Sequence, residues 1–564
     1  MTETSIIICG QAGQGIQTVG YVLAKAVLRS GYYIFAWQDF QSRIRGGESS
    51  FRLVISEKPI SSLPEKYDIL VSMDKSNTPL YTPLIKSSGI IIAENGSGEN
   101  FIEVPFQKIA VDIGGNKIYS NASAVGAVSG ILGLDFKKIE NVLKEEFSKK
   151  SDEVADKNIK VAKYSYDETV KNNSKKFPPV KELKNPGRKI LTGNESLALG
   201  AIAGGCRFMS AYPMTPSTGV ITYLSETSQK TGILIEQAED EIAAINMIIG
   251  ASFAGVRSLT ATSGGGFALM VEGLSLAAMT ETPVVVVLGQ RPGPATGLPT
   301  RTEQGELNFA LNAAPGEFPR FIFAPSDAVS AFHLMIKAFE MSQKYRVPVI
   351  ILTDQYLADS YWTVEDFNFE NIKLNDYFSK PEDVAGEFKT YSITDTGISE
   401  RLKPGESENL VIADSDEHDQ YGHITENLTI RKMMVEKRWK KLCLMTDEMN
   451  VVVPDGFDKA EIVLVSWGSN GGIVSEVAGI LSKKGTKTES INYTEILPLK
   501  IPKEFFDKKR KFKIIVVENN FTGQFAGLLE KEGVKIDGKI NKYNGLPFTA
   551  EEITGEIKKK YDKN

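Results

Sequence analysis

The sequence predicts an α/β protein, three α/β domains and a connector, and three observations carry that reading. The chain opens as strand, glycine turn and helix, with Ser5–Cys9 followed by Gly10, Gly13 and Gly15 and an apolar-periodic stretch from Ile16 to Leu28. Its middle alternates β-rich apolar runs (Ser258–Thr262, Pro283–Leu288, Pro348–Thr353) with helical patterns, the signature of a parallel sheet covered on both faces. From Ala460 the same alternation resumes.

Taken in order, residues 1–180 form the first domain, with further strands expected at Ile69–Val71 and Ile90–Ile92. The stretch Lys149–Pro186, rich in Lys, Asp and Asn, reads as a linker. The second domain, 186–380, begins with a cap-like turn ahead of a helix at Ser196–Ile202. Residues 381–455 turn polar and irregular, a connector with a hairpin-like excursion and a basic helical stretch from Ile430 to Cys443. Residues 456–564 form a third α/β domain, with a strand at Ile462–Ser466, a turn at Gly468–Gly472, a helix and a strand at Ile514–Glu518.

Composition narrows the class. At 564 residues the chain exceeds what one core serves, and 42% hydrophobic with 24% charged residues fits a folded, soluble protein. A net charge of −6 disfavours nucleic acid as a partner. No apolar run approaches the roughly 20 residues needed to span a bilayer, and the N-terminus lacks a signal-peptide pattern. Cys9, Cys206 and Cys443 are too scattered for a disulfide framework or a cluster site, so a reducing cytoplasm is expected.

Several motifs bear chemistry. The Gly10-x-x-Gly13-x-Gly15 turn leaves amides at a helix N-terminus, suited to an anion or simply to a tight crossover. Its spacing departs from GxGxxG, which disfavours a nicotinamide role. Arg43 and Arg45 offer a clamp for phosphates or carboxylates, or a solvated loop. In Tyr212-Pro213-Met214-Thr215-Pro216-Ser217-Thr218, two prolines hold the Thr215 hydroxyl in a rigid turn, and Ser217 or Thr218 can cap the next helix.

That segment looks like the YPITPS signature of the 2-oxoacid:ferredoxin oxidoreductases, in the form where γ and α parts are fused. The resemblance continues through GQAGQG, SRIRGGE, GNESLALGA, EDEIAAINMIIGAS, TATSGGGFALM, RPGPATGLPTRTEQ, EHDQYGH and VENNFTGQ, nearly the whole chain. It implies a γ-type domain, a thiamine pyrimidine-binding domain, and a last domain resembling the C-terminal domain of transketolase-like enzymes.

Thiamine chemistry requires one buried glutamate at the cofactor's pyrimidine. Glu241 sits at the N-terminal end of a helix whose apolar face is expected to be Ile242, Ile245, Ile248 and Ile249, so it can point inward. Glu239 and Asp240 compete for the role, and by resemblance Glu241 holds it. A substrate carboxylate calls for a guanidinium, and Arg291 and Arg301 both lie in a Pro/Gly loop after a buried strand. By resemblance Arg301 and Thr215 bind the substrate, together with Tyr212, Pro213 and Ser217. His418 and His423, at i, i+5, do not share a helix face, and their loop is expected to be a polar one near the subunit contact rather than a metal site.

The resemblance further implies CoA-dependent oxidative decarboxylation of a 2-oxoacid to acyl-CoA and CO2, with electrons passed to ferredoxin. It favours 2-oxoglutarate or a broad range of 2-oxoacids. Thiamine diphosphate would be shared with a β subunit carrying Mg2+ and a [4Fe-4S] cluster, in an (αβ)2 assembly, and the γ-type domain is a candidate to help hold coenzyme A. A pyruvate- or aryl-pyruvate-specific member of the family and a non-catalytic nucleotide-binding module are the competing readings.

Overall fold

The computed structural model describes residues 3–42, 47–173, 177, 179–184, 187–367, 369–384 and 386–561. Arg43 and Arg45 lie outside the described residues. The chain gathers into two compact units: Met1–Leu191 with Asp359–Phe367 and Thr549–Asn564, and Thr192–Ala358 with Asn368–Phe548.

The first unit begins with β1 (Glu3–Gln11) and α1 (Ile16–Arg29), then β2 (Tyr33–Phe40), β3 (Glu48–Ser56), β4 (Tyr67–Ser72), α2 (Thr78–Tyr81), β5 (Ile85–Ala93) and β6 (Phe101–Glu103). Helices α3 (Phe106–Gly114), α4 (Ser120–Leu132), α5 (Phe136–Phe147) and α6 (Asp152–Asn173) lead to β7 (Lys189–Thr192). The sheet runs β6-β5-β4-β1-β3-β2, followed by the strand Tyr361–Val364 and β7. β1 is parallel to β4 and antiparallel to β3, which places it centrally and explains why Ile6, Ile7, Ile8 and Cys9 are all fully buried.

Residues 152–173, expected within a linker, instead form the 22-residue helix α6. Its inner face is small and partly polar, with Ala155, Asn158, Ala162, Ser165 and Thr169 all buried at helical spacing. Ser165 and Ser123 of α4 share a hydrogen bond of 2.6 Å. The two helices approach so closely that a Cβ on Gly126 would fall on the Ala162 carbonyl. Polar composition hid a core helix.

The second unit contains α7 (Gly193–Ala203), β8 (Phe208–Ala211), α8 (Thr218–Thr231), β9 (Leu234–Gln237), α9 (Glu241–Phe253), β10 (Ser258–Ser263), α10 (Gly264–Met279), β11 (Val284–Gln290), α11 (Leu307–Asn312), β12 (Phe321–Phe323), α12 (Ala328–Tyr345), β13 (Pro348–Asp354) and α13 (Gln355–Asp359). The strand β14 (Tyr361–Val364) is the one already placed in the first sheet. Then come α14 (Leu428–Asp447), β15 (Ile462–Trp467), α15 (Gly471–Lys483), β16 (Thr488–Tyr493), β17 (Glu495–Leu497), β18 (Lys513–Glu518), α16 (Gln524–Lys531) and β19 (Gly538–Asn541), while α17 (Ala550–Tyr561) belongs to the first unit.

Two sheets result, in the orders β17-β12-β13-β11-β10-β8-β9 and β16-β15-β18-β19. β11 shows why its sequence is a continuous apolar run. Val284, Val286 and Leu288 enter one core while Val285 and Val287 enter the other, so both faces are covered. The first of those cores also takes in Val463, Val465 and Trp467 of β15, which joins the smaller sheet to the larger.

The stretch before β15 is packed rather than loose. His418 bridges Ile424 in the expected hairpin-like excursion. α14 turns basic residues inward, burying Lys437, Arg438 and Lys441. The Lys437 and Lys441 ammonium groups each donate to Glu281 at 2.5 Å, and Arg346 Nε donates to the Glu281 main-chain carbonyl at 3.1 Å.

Candidate active site

In the second unit β8, β10, β11 and β13 are parallel, so their C-terminal ends share one edge of the sheet, where ligands of open α/β sheets bind. Glu241, the first residue of α9, reaches this region. Of the three acidic residues in sequence, Glu239 and Asp240 are exposed, and Asp240 caps α9 by accepting from the Ala243 N–H at 2.7 Å. Glu241 is 4% exposed. The α9 face is Ala244, Ile245, Ile248 and Ile249, whereas Ile242, expected among them, is 51% exposed.

Glu241 Oε1 is buried with no hydrogen-bond partner among the described residues. An orphaned carboxyl oxygen is uncommon in a finished interior, because it forfeits its hydration without replacement. It faces the bare first turn of α10. A Cβ on Gly266 would fall on Thr262 Oγ1 and stand 2.5 Å from Glu241 Oε1. Gly266 therefore lets the Glu241 carboxyl lie directly on the helix, open space is left over Gly265, where a Cβ would meet nothing within 4 Å, and the orphaned oxygen can share a proton with a ring nitrogen of an aminopyrimidine.

The turn after β8 holds the next group. Tyr212 is 41% exposed, and Pro213 and Thr215 are half-buried. Ser217 does not cap α8 with its side chain. Its Oγ donates instead to the Met214 carbonyl at 2.8 Å, closing the turn on itself, while Asn194 Nδ2 donates to the Pro216 carbonyl at 2.9 Å. Arg291, 8% exposed, donates from Nη1 to the Thr215 carbonyl at 2.7 Å. Of the two candidate arginines, Arg291 is thus tied to the Thr215 turn. Arg301 lies against Gly545, where a Cβ would meet its Cβ and Cγ at 3.1 and 3.3 Å.

Sequence reasoning overlooked two residues of the same loop. Glu306 stands beside Gly264, whose Cβ would come within 2.5 Å of its Oε1, and its Oε2 is buried without a partner among the described residues. Burial and the neighbouring Glu303 push the Glu306 carboxyl up to about 8 against the opposing pull of Arg291. Burial lowers Arg291 from its ordinary value and raises Glu303.

Gln304 anchors the loop. Its Nε2 donates to the Trp467 carbonyl at 2.9 Å, and its Oε1 accepts from Asn470 Nδ2 at 2.8 Å and from the Asn519 N–H at 3.1 Å. Glu518 organises the other side by accepting from Trp467 Nε1, Asn520 Nδ2 and the Phe525 and Ala526 amides. Gln304 and Glu518 lie in the RPGPATGLPTRTEQ and VENNFTGQ strings, but the partners that give them their roles are distant in the chain for Gln304 and unreadable from the string for Glu518.

In the first unit, Gly15 caps α1 with φ of 74° and no side-chain cap, leaving the first amides open. Beside them lies a cavity of about 490 Å3, bordered by Gly13, Gln14, Gly15, Gln107, Lys117 and Asn121. Gly10 lies just before this turn, with Gln14 Oε1 2.5 Å from where its Cβ would stand. Within the polar loop expected around His418 and His423 of the second unit, His418 is fully buried while His423 is exposed. The His418 ring lies 4.1 Å from that of Tyr391 and its Nδ1 meets the Asp416 carbonyl at 3.2 Å.

Fold and site together define an α/β protein whose open, carboxyl-bordered helix turn suits a thiamine pyrimidine, and the comparisons with known proteins fall in the same class. The family described as pyruvate flavodoxin/ferredoxin oxidoreductase, thiamine diphosphate-binding, matches residues 199–437, and pyruvate ferredoxin/flavodoxin oxidoreductase matches residues 5–168. The 2-oxoacid:ferredoxin oxidoreductase α subunit of Saccharolobus solfataricus is 33% identical over 625 residues, covering 98% of this chain and 97% of that one. The 2-oxoglutarate oxidoreductase subunit KorA of Mycobacterium tuberculosis is 27% identical, covering 97% and 90%. The 2-oxoglutarate:ferredoxin oxidoreductase from Magnetococcus marinus, solved with 2-oxoglutarate, coenzyme A and succinyl-CoA bound, matches with a TM-score of 0.91 at 29% identity, covering 99% of each chain. This chain belongs to the 2-oxoacid:ferredoxin oxidoreductase family, as an α subunit with a fused γ domain. Among the described residues no helix is long and apolar enough to cross a membrane.

Proposed function

We propose that this chain supplies the pyrimidine-binding half of the active site in a CoA-dependent oxidative decarboxylation of a 2-oxoacid, 2-oxoglutarate being favoured. The products are the acyl-CoA, CO2 and two electrons for ferredoxin. The observation that carries the reading is the buried, unpartnered Oε1 of Glu241 above the bare turn of α10. When bound, thiamine diphosphate supplies a nucleophilic carbon and an electron sink. Glu241 holds the proton at the pyrimidine ring nitrogen that favours the reactive tautomer, and burial keeps water from competing for it.

The substrate carboxylate is assigned to the Thr215 turn and an arginine. Arg301 was the first choice from sequence, but the bond from Arg291 to the Thr215 carbonyl favours Arg291. Tyr212, Pro213 and Ser217 shape the same turn. In the γ domain the amides after Gly13 and Gly15, with Lys117, suit an anionic part of coenzyme A.

Diphosphate and Mg2+ ligands and a [4Fe-4S] cluster are assigned to a β subunit, since three scattered cysteines cannot supply four thiolates to one cluster. An (αβ)2 assembly in the cytoplasm completes the proposal. The test is Glu241→Gln and Glu241→Ala in the copurified complex, assayed for 2-oxoacid- and CoA-dependent reduction of a low-potential acceptor. Activity should fall by about 10²-fold or more with assembly intact. Full activity in Glu241→Ala overturns the assignment.

A further inference from the structure

Two carboxyls border the first turn of α10. Glu241 stands on the Gly266 side and Glu306 on the Gly264 side. Glu306 is not spent on structure. Its Oε2 is buried and unpartnered among the described residues, and its N–H, not its carboxyl, makes the local bond, to Gln290 Oε1 at 3.1 Å. Gln290 in turn donates to the Thr353 carbonyl at 3.2 Å, fixing the loop to the ends of β11 and β13.

The charges facing Glu306 are few. Glu303 comes from its own loop and Arg291 from the end of β11, while α10 presents only Gly264. Arg291 Nη1 is turned to the Thr215 carbonyl. An ionised Glu306 here would set two carboxyls, Glu303 and Glu306, against the one guanidinium proposed to receive an anionic substrate. A protonated Glu306 removes that repulsion and gains an O–H to donate. Burial and Glu303 favour that form at neutral pH, holding the carboxyl at about 8.

We propose that Glu306 is a substrate-binding acid that works in its protonated form, donating its O–H to an oxygen of the 2-oxoacid carboxylate while Arg291 balances the charge. The proposal rests on the reading of the Thr215 turn as the substrate site. No bond breaks in this step. One proton stays on Glu306, and binding above the carboxyl's own titration draws that proton from solvent.

The experiment is calorimetric titration of 2-oxoglutarate into the copurified complex freed of thiamine diphosphate, from pH 6.5 to 9.5, in buffers of unlike ionisation enthalpy. Affinity should be flat below about pH 8 and weaken by about tenfold per pH unit above it, with proton uptake approaching one per ligand. Glu306→Gln, a neutral donor at every pH, should bind with no pH break and no uptake. Glu303→Gln should move the break to lower pH by removing a like charge. An unchanged break in either variant, or no uptake in the parent complex, overturns the assignment of Glu306. Absence of 2-oxoacid binding at any pH overturns instead the reading of the site on which it rests. Should Glu306→Gln fail to fold, the shift in Glu303→Gln decides alone.

Discussion

Arg291 donates from Nη1 to the main-chain carbonyl of Thr215 at 2.7 Å, so one guanidinium spans the loop after β11 and the turn after β8. A planar fork can serve a carbonyl and a carboxylate at once, which a lysine ammonium cannot do in fixed geometry. Arg291→Lys should raise the KM for the 2-oxoacid by about 10- to 100-fold, the loss of one charge-assisted bond. Steady-state kinetics on Arg291→Lys beside Arg301→Lys check this, and an equal or larger effect at Arg301 restores the assignment made from sequence.

The close approach of Glu241 to Gly266 is a direct target. Gly266→Ala would drive a methyl group into Thr262 Oγ1 and Glu241 Oε1. Thiamine diphosphate affinity in the complex, followed by cofactor titration, should fall by at least about tenfold. Gly265→Ala is the control, since a Cβ there meets nothing within 4 Å, and it should leave cofactor affinity near that of the parent.

Stability should depend on Glu281. It is 1% exposed and accepts from Lys437 and Lys441, with Arg346 alongside. Removing it strands buried cations, and Glu281→Ala should cost about 3–5 kcal/mol, read as a lower midpoint in urea unfolding. Burial alone would raise its carboxyl, but Lys437, Lys441 and Arg346 together outweigh that and hold it well below the ordinary range. A depressed carboxyl contributes stability above its unfolded value of about 4.3 and loses it as pH falls through the lower folded value. Acid unfolding of the parent should therefore steepen below about pH 4, and Glu281→Gln should remove that part of the dependence.

Gln304 spends both ends of its amide on buried partners. Gln304→Ala leaves the Trp467 carbonyl and the Asn470 amide unmatched and should cost about 2–4 kcal/mol. The same variant should raise the substrate KM, because the loop that carries Arg291 and Glu306 loses its anchor. Denaturation followed by tryptophan emission, with parallel kinetics, measures both.

What the sequence made legible follows physical periodicity. β11 was evident because burial on both faces demands an unbroken apolar run, whereas Glu239, Asp240 and Glu241 all stand at the head of a strongly apolar helix, so only the family resemblance, not the pattern, separated Glu241 from its neighbours. Ile242 was misplaced for the same reason, since an apolar residue is permitted on either side of such a helix. α6 stayed hidden because, apart from Val161, its fully buried residues are Ala, Ser, Asn and Thr, whose burial relies on hydrogen bonds and close backbone approach rather than on hydrophobic pattern. Glu306 and the Glu281 cluster were invisible because their character comes from partners distant in sequence: Gly264 for the first, Lys437 and Lys441 for the second.

The seat of Gln304 among Trp467, Asn470 and Asn519 also sets an order of events in synthesis. The loop at residues 291–306 leaves the ribosome well over 150 residues before the β15 and β18 edges that hold it. The nascent chain can complete the seven-stranded sheet except for β17, with the loop already tied to it through Gln290 and Arg291, yet the Gln304 end of that loop gains its last anchor only when residue 519 emerges. The last strands thus finish what the first-made half of the site begins, and a chain stalled short of them holds Glu241 and Arg291 in place but leaves the Gln304 amide, and the Glu306 end of the loop, without their buried partners.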